Sequence, residues 1–70
     1  MSRESALIHL GQSYGLLRND VLQYLRVVDS DPPYHLMEST AKAAMLEELL
    51  QNIRDAMDHV LEMEKQAGPP

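Results

Sequence analysis

The sequence predicts an all-α fold: an antiparallel two-helix hairpin that dimerises into a four-helix bundle. Three observations lead there. Apolar residues in the first half recur at alternating spacings of three and four, at Leu7, Leu10, Tyr14, Leu17, Val21, Tyr24 and Val28. A second series with the same spacing runs through Leu36, Ser39, Ala43, Leu46, Leu50, Ile53, Met57 and Val60. One proline-containing break, residues 29–33, separates them. Spacing of this kind keeps one side of a helix apolar and suits it to packing on other helices.

The first helix is expected over about residues 3–28. Ser2 is a suitable N-cap, and Glu4 in the first turn complements the helix dipole. Its apolar stripe is wider than the seam, because Ile8, Leu16, Leu22, Leu25 and Val27 flank it. Gly11 and Gly15 each cost the helix up to about 1 kcal/mol relative to alanine. Tolerated glycine is the simpler reading of that pair. Close approach by another backbone is the sharper one.

The loop is Asp29-Ser30-Asp31-Pro32-Pro33. Adjacent prolines disfavour helical backbone at Asp31 and Pro32, while Asp and Ser supply local turns. So short a connection makes the helices antiparallel neighbours. The second helix is expected to begin at Tyr34 or Leu36 and to run to about residue 66, with a frayed tail over 67–70. Met45, Leu49, Ala56 and Met63 form a stripe beside its main seam. Glu38 and Lys42 are spaced as a favourable i,i+4 pair.

Chain length explains why a dimer is expected. The 70 residues suffice for a single domain, taken as residues 1–70, but domains of this size bury only about 60% of their unfolded surface. Small scaffolds usually add a disulfide, a metal or a second copy. Cysteine is absent, so disulfides and thiolate metal sites are both excluded. Both helices also have apolar faces too broad for one neighbour. Pairing of hairpins covers the remainder, in a dimer first and a higher oligomer second. The residues expected in this core and dimer seam include Leu17, Val21, Leu46, Leu50, Ile53 and Met57.

Charge and composition narrow the function. Eleven acids against six bases give a net charge of −5, and the bases are scattered. That argues against direct binding of nucleic acid. No run of about 18 apolar residues suggests a membrane span, and Met1-Ser2-Arg3-Glu4 does not resemble a signal peptide. The expected location is the cytoplasm.

Candidate chemistry is sparse. His9, His35 and His59 are far apart, and only Asp55 with His59 shares a helical turn, which reads as a surface ion pair rather than half of a metal site. Ser13 in Gly-Gln-Ser-Tyr-Gly sits mid-helix with no implied base, unlike a nucleophile elbow. The carboxylates of the second helix lie on its polar side, where acid–base catalysis lacks a desolvating pocket. No catalytic residue, metal or cofactor is therefore expected. Tyr14 and Tyr24 on the seam are expected to pack their rings while the hydroxyls reach polar neighbours. Met57 reads as core; Met37, Met63 and Leu61 read as core or dimer contacts, or else as an exposed apolar rim.

The expected function is that of a non-catalytic regulator, adaptor or inhibitor that binds a larger protein. Two patches are candidates. The loop end offers Tyr34, His35 and Met37, which the helix pattern does not need. The acidic side offers Glu48, Asp55, Asp58 and Glu62, suited to a basic partner. The alternative is a small-ligand pocket between helices near Gly11, Tyr14 and Gly15, or at the proline loop.

Overall fold

The computed structural model of the protein describes residues 2–68. It is a hairpin of two long helices with no strand among the described residues. Helix α1 spans Arg3–Val28 and helix α2 spans Ser39–Ala67. A single 3-10 turn, Tyr34–Leu36, stands between them. The helices are antiparallel, since Tyr14 contacts Glu64 at one end and Lys42 contacts Ser30 at the other.

Local chemistry fixes both ends of α1. Ser2 is its N-cap, and the Ser2 hydroxyl accepts the Ser5 amide at 3.1 Å. At the C-terminus, the Ser30 amide donates to the Val27 carbonyl and the Asp31 amide to that of Arg26. Ser30 has φ of 58°, so this is the crossed, left-handed end that glycine usually supplies.

The start of α2 differs from expectation. Tyr34–Leu36 does not belong to the helix, and the connection runs to Glu38 rather than ending at Pro33. Met37 is extended, with φ of −75° and ψ of 142°. The reason is that Tyr34 is docked on α1: Gln23 donates to its hydroxyl, and the Arg26 guanidinium lies 5.6 Å from its ring centre. Lys42 likewise does not pair with the Glu38 side chain. Its ammonium donates to the Ser30 hydroxyl at 2.6 Å, tying the first turns of α2 to the end of α1. At the other end, Ala67 is helical and buried, so the helix runs one residue past the expected boundary. The remainder of the expected tail lies mostly outside the described residues.

The seam between the helices is not the one that the largest apolar residues suggest. Along α1 the buried or half-buried positions at alternating spacings of four and three are Ala6, Leu10, Ser13, Leu17, Asp20, Tyr24 and Val27. Leu7, Tyr14, Val21 and Val28 are exposed. Along α2 the corresponding row is Lys42, Leu46, Leu49, Ile53, Ala56, Val60, Met63 and Ala67, with Met45 beside it. Leu49, Ala56 and Met63, expected to flank the seam, are in it; Leu36, Ser39, Ala43, Leu50 and Met57, expected in it, are exposed. The most deeply buried positions of α1 carry small or medium side chains, since Ala6, Ser13 and Val27 are nearly or fully inaccessible. The Ser13 hydroxyl is satisfied within its own helix, donating to the His9 carbonyl at 2.8 Å.

Candidate functional site

Three surfaces of the hairpin hold the residues in question. The first is the loop end. Arg26 organises it: its guanidinium donates to the Pro32 carbonyl at 3.1 Å, stands 3.9 Å from the Asp31 carboxylate and covers the Tyr34 ring. The Tyr34 amide also donates to the Asp31 carbonyl at 2.6 Å. Tyr34 is thus half-buried and structural, while His35 beside it is exposed and Met37 is half-buried. The most exposed large apolar residue is Leu36, at 82%. The helical periodicity had absorbed Leu36 into a seam. Its true position was signalled only by its place between a double proline and Ser39, where the next helix begins. Arg26 carried no signal of its own, because its partners are brought together by the turn.

The second surface is the acidic side of α2. Glu48, Asp55 and Glu62 are exposed and seven residues apart, so they form a row along one side of the helix, with Asp58 exposed beside it. Asp55 does not pair with His59; it accepts from the Gln51 amide at 3.0 Å. Glu62 accepts from Gln66 at 3.4 Å. These are ordinary one-turn contacts on a solvated helix. The loop-end patch and the acidic row are separate: the row begins at Glu48, more than two turns into α2.

No protein-family model matches this chain, and no curated protein or solved structure matches it.

The third surface is apolar. The Tyr14 hydroxyl donates to the Glu64 carboxylate across the hairpin, so these two positions are level with each other on the paired helices. One heptad from that pair stand Val21 on α1 and Met57 on α2, and two heptads away stand Val28 and Leu50. All four are exposed. They lie on the same broad face of the hairpin as the Tyr14–Glu64 contact, because a seven-residue step returns to the same side of a packed helix. Leu17, Leu46 and Ile53, expected in the core and dimer seam, are half-buried between the helices. The hydrogen bond to Glu64 holds the Tyr14 phenol above its usual value; desolvation and the carboxylate's charge act in the same direction.

The remaining expectations are quickly placed. Met63 is buried in the seam, whereas Leu61 is exposed, so they do not form one rim. Gly11 and Gly15 have open space where a side chain would stand, so no backbone approaches them within the hairpin. Among the described residues there is no enclosed cavity, no group of side chains placed to hold a metal ion and no helix long and apolar enough to cross a membrane.

Proposed function

We propose that this chain is a non-catalytic regulator or adaptor of the cytoplasm, which dimerises into a four-helix bundle and binds a larger protein. The observation that carries the reading is the loop end. An exposed leucine and histidine, Leu36 and His35, project from a turn that Arg26 and Gln23 hold in place. A pre-ordered loop presenting an apolar side chain loses little conformational freedom on binding. The acidic row of Glu48, Asp55, Asp58 and Glu62 serves the same function if the partner is basic.

The test is binding to a partner captured from the native host. Tyr34→Ala, which releases the loop from α1, is compared with the double change Asp55→Lys/Asp58→Lys, each variant first shown to be helical. Loss of affinity in the first assigns binding to the loop end. Loss in the second, together with a steep fall of affinity with salt, assigns it to the acidic row. Unchanged affinity in both removes both patches.

A further inference from the structure

The hairpin is long and thin. It measures 50 × 17 × 14 Å, with a radius of gyration of 15.4 Å. A compact domain of 70 residues has a radius of gyration of about 11 Å. The exposed surface shows the same thing. A compact monomer of 7.9 kDa exposes about 4,400 Å², but this chain exposes 5103 Å². The difference, about 700 Å², is close to the roughly 800 Å² that each partner contributes to a stable interface of standard size.

The two broad faces of the hairpin are not equivalent. One carries the exposed acidic row of α2. The other carries Val21, Val28, Leu50 and Met57, continued one turn outward by the exposed Leu25 and Leu61. The charges at this apolar face are balanced, two of each sign: Arg18 lies one turn from Val21, Glu47 and Arg54 each lie one turn from Leu50, and Glu64 lies one heptad from Met57. On a chain of net charge −5, two copies repel least when they meet through this face.

We propose that the face built on Val21, Val28, Leu50 and Met57 is covered by the same face of a second copy. The contact is isologous, with one patch serving both sides, as a two-fold dimer requires. Heptad spacing on both helices allows the exposed side chains of each copy to seat between those of the other. The acidic row and the loop end remain outside the contact, free for a further partner. This assignment rests on the dimer reading given above and adds which surface makes the dimer.

The test uses the full chain and exploits its lack of cysteine. Sedimentation equilibrium gives the mass over a range of concentrations. Single variants Val21→Cys, Leu50→Cys and Leu16→Cys are then alkylated at the same concentrations. Leu16 is the control, since it is 61% exposed and lies away from the apolar face. The expected result is a mass twice 7.9 kDa, with alkylation at positions 21 and 50 slowed at least tenfold as the dimer forms and alkylation at 16 unchanged. A dimer that protects position 16 and leaves 21 and 50 open overturns the face but keeps the dimer. A mass of one chain at all concentrations, with helical circular dichroism retained, overturns both.

Discussion

Along α1, the residues at Ala6, Ser13, Asp20 and Val27 turn toward α2; one position later stand Leu7, Tyr14, Val21 and Val28, all exposed. The first set is small or polar apart from valine, and the second is large and apolar. Along α2 there is no such contrast: Leu46, Leu49, Ile53 and Met63 are inside with Ala56 and Ala67, and Ala43, Leu50 and Met57 are outside. Of these two rows on α1, the one turned to α2 thus carries the smaller side chains, and the row beside it leaves large apolar side chains exposed. Large apolar residues at heptad spacing identify a surface to be covered. They do not say which neighbour covers it.

A single charge placed on each set has the largest expected effect. Val27→Asp puts a carboxylate where the side chain is fully inaccessible and should cost about 3 kcal/mol or more, enough to unfold so small a domain. Val21→Asp, on the face proposed to pair with a second copy, is expected to act through association instead. Its loss of thermal stability should grow with protein concentration, whereas that of Val27→Asp should not. Urea titrations at two concentrations read both effects, and identical concentration dependence would contradict the division into inner seam and outer face.

A second change pits residue size against hydrophobicity. Ser13→Leu makes the seam more apolar, and the heptad pattern alone would favour it. In the hairpin there is no room, since Ser13 is 2% exposed, so overpacking should destabilise by about 1–3 kcal/mol. An increase in the midpoint of urea unfolding would show that the helices are not held this closely.

Smaller effects sharpen the two ends. Lys42→Met removes the ammonium that donates to Ser30 and should cost about 1 kcal/mol, seen as faster amide exchange in the first turns of α2. At the far end, the Tyr14 phenol is raised by Glu64. A raised folded value means that the contact's stabilisation is complete below the unfolded value, near pH 10, and is lost as pH rises through the folded one. Ultraviolet titration should show one tyrosine ionising above the usual range, absent in Tyr14→Phe and moved back toward that range in Glu64→Ala.

The helices, their antiparallel order and the Ser2 cap were legible because each depends on local spacing and on a few residues with specific backbone preferences. Two parts of the candidate loop site were not. Leu36 keeps the helical spacing of the residues after it, so periodicity counts it as helix; only the docking of Tyr34 on α1 detaches it. Arg26 binds a carbonyl, a carboxylate and a ring that become neighbours once the chain has turned.

By itself, then, the sequence determined two long helices, one break and an apolar stripe on each, since these follow from spacing along one chain. Which part of each stripe faces inward was decided by tertiary structure. The stripes are wider than one neighbour can cover, so several rotations of each helix keep apolar groups in contact. The rotation adopted is the one in which Ala6 and Ser13 meet the facing helix. Ala6, Ser13 and Val27 are nearly or fully inaccessible there, and that fit depends on both helices at once.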